Sequence, residues 1–458
     1  MNICFITCFY KTELFFEIAK EINDGEVFWI TPSYKWYNWL IQKGVKPEKI
    51  LLITKDKLEA NQGSELFIDD NSYGLNLTSI VLMDRILRNM NGEYALRYLS
   101  SIGNIIKSFL IKKDIEVVFG EATAAHEVLT SVICDTLGKQ FFNPFTVRIP
   151  SNRFAFFKGP FQSEIYQFKD REINSNKLES IIKETIDSVV LYNQKPDYFY
   201  LNNKIPKVDL SLIKKMIVKF IETINEAKYD QSVKPLKYQL FTEMKYLQPI
   251  RYKISNFMSV FETADYSQEY VLYTLHKQPE ASIDVLGYIN SNQLELVRNI
   301  ALNLPNNIKL YVKEHSNCLG ERSLSFYRQL KKIPNVKLID PFEDTRKLIE
   351  RSSLVLTVSG TVALEAGIIK KRAVTFSKMY FNELNNVEFV ENPSKIKNIL
   401  ISNNLESKNC PKDFYKNIIL NSFEGTISDI LNAPNVLNED NIKKVSYGFN
   451  SLIKDLQV

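Results

Sequence analysis

The chain of 458 residues holds three histidines, and each falls in or just after a segment that follows an apolar run. His126 lies in GEATAAHE, beyond the run ending at Phe119. His276 opens HKQPEAS, beyond Leu275, and His315 closes KEH, beyond Val312. In YVKEHSN the cation Lys313 and the imidazole His315 share one side of a strand by period two, while Glu314 points away. Lys313 and His315 could neutralise a diphosphate or a leaving phosphate, with Glu314 bracing the loop; the plainer alternative is a surface loop. In LVLTVSGTVALEAGII, Gly360 lets the backbone turn tightly, Ser359 and Thr361 supply hydroxyls, and the helix that follows offers its free N–H groups. That turn is either a nucleotide phosphate site or ordinary N-capping. Glu365, one turn further in, could hold ribose hydroxyls or stand solvated on its helix.

Two further segments carry candidates. His276 and Gln278 could contact a donor, with Pro279 at a turn and Glu280 in a favourable first helical turn; the alternative is a capping segment. Glu121 follows the Ile115–Phe119 run. Its carboxylate could be a general base for an acceptor hydroxyl, or could stabilise positive charge in a sugar ring, or could pair with a helix dipole. His126, deeper in that helix, reads as packing or surface. Asp69 and Asp70 in FIDDN have no further ligand types nearby and read as a turn, so no metal site is expected.

Parallel β-α units are needed to bring such segments to one edge. Strands are expected at Ile3–Phe9, Glu26–Thr31, Lys49–Ile53 and Ile115–Phe119, with helices at 12–22, 79–93, 95–112 and 123–137. Residues 175–263 are Lys-rich with few strand signals, and two helices are expected there, near 208–227 and 235–260. From 268 the alternation returns: YVLYTLH, IKLYVKEH, NVKLID, SLVLTV and RAVTF as strands, with helices at 291–303, 322–332, 343–351 and 361–369. The polar tail is expected to be helical near 412–431 and 440–455. The expected organisation is a Rossmann-like domain over 1–205, a helical connector over 206–265, a second Rossmann-like domain over 266–400 and a helical tail over 401–458. In open parallel sheets ligands bind beyond the carboxyl ends of the strands, and the candidate residues cluster there.

Composition narrows the function. Apolar residues at 45% and charged residues at 24% suit a globular protein, and this length suits two or three domains. The net charge of +5, spread along the chain, does not argue for a nucleic-acid partner. No run spans a bilayer. The first residues lack a basic segment and are broken by Lys11 and Glu13, so no signal peptide is expected. Cys4, Cys8, Cys134, Cys318 and Cys410 are odd in number and scattered, as in reduced cytoplasmic chains. YKWYNWLIQKGVK could rest on a membrane surface or pack as an amphipathic helix.

Over 268–380, and again in VFGEATAAHEVLTSVICDTLG and VRIPSNRFAFFKGP, the sequence resembles the bacterial capsule polysaccharide biosynthesis family, whose best understood members are Kdo transferases. The resemblance implies a GT-B fold: two Rossmann-like domains with parallel sheets facing a central cleft, the donor nucleotide held mainly by the second and the acceptor by the first. It implies a glycosyltransferase that uses a nucleotide-activated sugar, often CMP-linked, as substrate, with no cofactor and no metal motif. A glycan or glycolipid acceptor and contact with the inner membrane's cytoplasmic face are the partners it suggests. KEHS is similar to the family's Lys-x-His-Pro motif and SGT to its Ser/Thr-rich partner. By position, Lys313, His315, Ser359, Gly360 and Thr361 would grip the donor phosphate, and Glu121 would stand where the family keeps an acidic residue. Ser316 replaces the usual Pro, and Ala373 stands where Pro is expected. The SGT and LEA pattern also occurs in nucleotide-sugar 2-epimerases, so an epimerase, or a non-catalytic assembly protein, is the alternative.

Overall fold

The computed structural model describes residues 1–458 except 24, 56–71, 194–223, 225, 241–243, 245–246, 403–408, 432 and 458. The Asp69–Asp70 turn and most of the expected 208–227 helix lie outside the described residues. Contacts divide the chain into two compact units. The first gathers Met1–Glu172, Ser211–Gln239 and Leu420–Val458, and the second gathers Ile173–Leu210 and Leu240–Ile419. Thirteen strands are described: β1 Asn2–Ile6, β2 Val27–Thr31, β3 Ile50–Leu52, β4 Ile115–Phe119, β5 Gln140–Thr146, β6 Arg153–Lys158, β7 Tyr270–Thr274, β8 Lys309–Lys313, β9 Val336–Ile339, β10 Leu354–Thr357, β11 Ala373–Thr375, β12 Val387–Phe389 and β13 Ser422–Glu424.

The first unit's sheet runs β13-β6-β5-β4-β1-β2-β3. Its β3-β2-β1-β4-β5 part is parallel, and β6 and β13 close one side antiparallel. The second unit's sheet runs β12-β11-β10-β7-β8-β9, parallel throughout. That is the doubly wound order, reversing between β7 and β10. Strands buried on both faces read as unbroken apolar runs rather than alternating ones, as in YVLYT and LVLT.

Helices start where the sequence provides caps. Ser33 accepts from Trp36 N ahead of Tyr34–Gln42, Asn91 from Tyr94 N ahead of Gly92–Lys112, and Ser323 from Phe326 N ahead of Leu324–Lys331. Trp36 and Leu40 of the YKWYNWL helix are buried, and Trp39 meets Phe16 edge-on at 5.2 Å.

Several elements depart from expectation. The helix expected over 79–93 is Leu77–Met83 only; the Asp84 carboxylate then accepts Ile86 N and Leu87 N and diverts the backbone. The 235–260 segment is not one helix. It holds a turn at Leu236–Tyr238 and the helix Gln248–Phe257, with Met244 at φ +42° between them. The expected 412–431 helix stops at Leu420, and the chain becomes β13, pairing antiparallel with β6.

The segment after 420 therefore completes the first unit. Helix Glu439–Gln457 lays Phe449 onto the sheet, with ring centroids 4.7 Å from Phe119, 5.0 Å from Phe156 and 5.9 Å from Phe5. Gly448 permits this approach, because a Cβ there would lie 2.6 Å from Phe154 Cζ. Phe449→Ala should cost about 3–5 kcal/mol of the first unit's stability, as large-to-small changes of a buried Phe do; urea unfolding read by near-UV dichroism checks it.

Candidate functional site

In the second unit Leu356, Tyr273 and Val312 are level across β10, β7 and β8. The three following loops leave one edge, about 5 Å apart per strand. His276 stands at the reversal point of the sheet, 7% exposed. Its Nε2 accepts from Val358 N at 3.2 Å and Ser359 N at 3.3 Å, and lies 3.0 Å from Thr357 Oγ1. Two N–H groups aimed at one ring nitrogen leave it unprotonated, so the neutral ring carries its proton on Nδ1. Expected as a donor contact, His276 thus staples the SGT turn to β7.

The turn is built to be held. Gly360 N donates to Thr357 Oγ1 at 3.2 Å, and a Cβ on Gly360 would sit 2.5 Å from that oxygen. Glycine is required here for close approach, since φ is an ordinary −73°. Ser359 is fully buried and its hydroxyl donates to Ser282 O at 2.6 Å, which ties the turn to the 281–284 segment. Thr361 opens helix Thr361–Ile368, whose N-terminus has no side-chain cap hydrogen bond; first-turn N–H groups left so are the kind that can receive an anion. Glu365 is half-buried on the same helix.

Glu314 is 1% exposed and acts as a girder. It accepts from Arg322 Nε at 2.8 Å, Tyr327 Oη at 2.7 Å and His315 N at 2.6 Å. Arg322 Nη2 also donates to His276 O. One hydrogen-bonded path therefore runs from the β8 loop through Arg322 to His276 and on to the SGT turn. Both carboxylate oxygens of Glu314 are thus engaged within the fold, where they brace the loop. Gln278 is similarly engaged, donating to Asp284 Oδ1 at 2.9 Å and accepting from Gln293 Nε2 at 3.3 Å. Glu280 is exposed and accepts from Ser282 Oγ at 2.8 Å.

His315 Nδ1 accepts from Asn317 N at 3.1 Å, so its neutral ring presents Nε2–H. Burial, then the charges of Lys277, Lys313 and Arg322, pull its pKa down to about 4. At neutral pH the positive charge of this loop is therefore carried by its neighbours rather than by His315. Lys313 is 5% exposed and donates to Pro341 O at 2.6 Å; Lys277 pairs with Glu321 at 3.3 Å. Sequence reading missed Lys277 and Arg322. Lys277 was legible, being the residue after His276; Arg322 carried no signal, since only folding brings it beneath both loops.

In the first unit the equivalent reversal lies between β1 and β4, where Phe5 and Phe119 are level. Glu121 pairs with Lys11 Nζ at 2.8 Å and accepts from Cys8 Sγ at 2.8 Å. Burial pushes its carboxyl up, but Lys11, the thiol hydrogen bond and Arg85 outweigh it and hold Glu121 below the usual carboxylate range. A carboxylate held ionised in this way is a weak proton acceptor and a good stabiliser of positive charge. Glu127 organises the loop, accepting from Glu121 N, Thr123 N, Thr123 Oγ1 and Ala124 N. Ala122 and Phe9 are left-handed at φ +55° and +41°, and Phe9 is 46% exposed. Non-glycine residues in that region concentrate at functional sites. His126 is buried and its Nε2 has no partner among the described residues.

Among the described residues no group of three or more His, Cys, Asp or Glu is placed to hold a metal, and no helix is long and apolar enough to cross a membrane.

No family model matches the chain, and no curated protein matches it. Among solved structures it is similar to the UDP-GlcNAc 2-epimerase of Methanocaldococcus jannaschii in complex with UDP-GlcNAc and UDP (14% identity, 92% of this chain and 98% of that chain, TM-score 0.28). It is similar to Thermosulfurimonas dismutans KpsC, a beta Kdo 2,7 transferase (10% identity, 76% and 89%, TM-score 0.33). It is also similar to the UDP-GlcNAc 2-epimerase of Neisseria meningitidis bound to UDP-GlcNAc (11% identity, 100% of each chain, TM-score 0.27). The class rests on the strand orders: an α/β protein of two Rossmann-like units, the composition of a GT-B-like chain.

Two measurements check the site's electrostatics. Between about pH 6.5, where a free imidazole titrates, and about pH 4, unfolded His315 binds a proton that the folded ring refuses. Stability therefore falls as pH drops through that window, and His315→Gln should make the fall in urea midpoint shallower. Lys11→Met should cost about 3 kcal/mol, the low end for breaking a buried pair, because Glu121 keeps 18% of its side chain exposed. Lys11→Met/Glu121→Gln should recover most of that loss.

Proposed function

We propose that the protein is a cytoplasmic glycosyltransferase that moves a sugar from a nucleotide-activated donor to a growing surface or capsular polysaccharide, on a glycan or glycolipid acceptor at the membrane's inner face. The observation that carries this reading is the charge arrangement in the second unit. Lys277, Lys313 and Arg322 crowd one imidazole, two strands from a helix N-terminus that has no side-chain cap. This is a site for a multiply charged oxyanion, and a nucleotide diphosphate or monophosphate fits it.

On this reading the bond from the anomeric carbon to the phosphate oxygen breaks, and its electron pair stays on the phosphate. Lys277 and Lys313 stabilise the charge that develops there. His315 Nε2–H donates a hydrogen bond to the departing oxygen, and the Thr361 hydroxyl and first-turn N–H groups hold the remaining oxygens. Glu365 takes the ribose. The acceptor hydroxyl attacks the anomeric carbon and releases its proton to solvent. Glu121, ionised beside Lys11, stabilises the positive charge of the sugar ring, the role its lowered pKa favours over that of a base.

Screening CMP-, UDP- and GDP-sugars by thermal shift identifies the nucleotide. The stabilising donor is then incubated with and without acceptor glycan. Transfer that requires acceptor supports the reading; conversion of the donor alone would make the protein an epimerase, and no nucleotide binding at all would overturn both. His315→Ala should lower turnover at least tenfold while leaving the melting temperature at neutral pH nearly unchanged.

A further inference from the structure

The second unit has a cavity of about 540 Å³ at the edge opposite the candidate site. Lys370 and Lys371 stand in the turn ahead of β11, and Arg346 and Glu350 lie on helix Thr345–Arg351, which leads into β10. This groove thus opens at the amino ends of strands whose carboxyl ends carry the SGT turn. Its walls are Ile186 and Val190 of helix Ser175–Val190, Ile368 and Ile369, and Pro411. Beyond Val190 the apolar surface continues, with Leu191 and Tyr192 exposed.

The polar groups at the rim are mostly of one sign. Arg346 and Glu350 cancel each other across 2.6 Å, and the same guanidinium donates to Val189 O at 2.8 Å, which fixes one wall. Lys412 has an exposed contact with Glu179 at 3.4 Å, a pair that screening makes weak. Lys370 and Lys371 have no ion pair among the described residues. Burial lowers the pKa of Lys371, and the charge of Glu350 only partly offsets it, so a nearby anion would relieve that ammonium.

We propose that this groove binds a single-chain anionic amphiphile, a long-chain fatty carboxylate, with its chain along Ile186, Val190, Ile368 and Ile369 and its carboxylate on Lys370 and Lys371. A concave apolar channel of this size suits a small ligand buried lengthwise, and the cationic rim selects the sign of its head. The site lies within one unit and does not depend on the donor-site reading.

Titration calorimetry of the full chain with octanoate, decanoate and dodecanoate, below their micelle concentrations, tests it. Affinity should rise roughly three- to fourfold per methylene as each is buried. Dodecanol and dodecyltrimethylammonium should bind at least tenfold more weakly than dodecanoate. Lys370→Gln/Lys371→Gln should weaken dodecanoate by about tenfold and leave dodecanol unchanged. Val190→Glu, at a surface position where folding is safe, should weaken both. Absence of binding for every chain length, equal affinity for the three head groups, or indifference to both variants would overturn the proposal.

Discussion

The second unit's site depends on one buried ion pair and the imidazole it reaches. Glu314 has its charge met by Arg322, Tyr327 and a backbone N–H. A buried carboxylate is tolerated only when its oxygens are satisfied in this way. The other end of the Arg322 guanidinium holds the carbonyl of His276, whose ring in turn accepts two N–H groups of the β10 turn. Three loops from three strands are therefore locked to each other before any ligand arrives. Such preorganisation is what makes an electrostatic site effective, because the groups do not reorganise when charge develops.

The two units use opposite charge logic at their strand carboxyl ends. In the second unit burial and then the surrounding cations keep the His315 ring neutral, leaving a positive field suited to an oxyanion. In the first unit a single ammonium secures a single carboxylate, with a thiol as second donor. The first arrangement invites an anion; the second preserves a fixed negative charge. Both stand beyond strand carboxyl ends, and the groove of Lys370 and Lys371 stands at the other edge of the second sheet, so its occupant and a donor would not compete for the same groups.

The alternation of β-α units in the second half was legible because its strands are buried on both faces and its helices have ordinary lengths. Each of its expected strands and helices is present within a residue or a few of its expected bounds. Of the strands that escaped, β12 and β13 are three residues long and end their sheets, where pairing partners rather than local pattern decide the conformation; β5 and β6 are longer and lie inside the first sheet. β13 is the clearest case. SFE carries no strand signature, yet it pairs with β6 and brings Phe423 onto Phe154.

The sequence by itself determined that chemistry-bearing residues follow the strands of parallel β-α units, because hydrophobic period and turn composition are local and survive in one dimension. It also placed Lys313, His315, Ser359, Gly360 and Thr361 at one edge of one sheet. Only the tertiary structure decided what each does. Glu314 and Gln278 became internal ties, the His276 ring became a staple, and Arg322 and Lys11 entered as partners. Ionic and hydrogen-bonding roles depend on distance and burial, and both are set by which strands become neighbours.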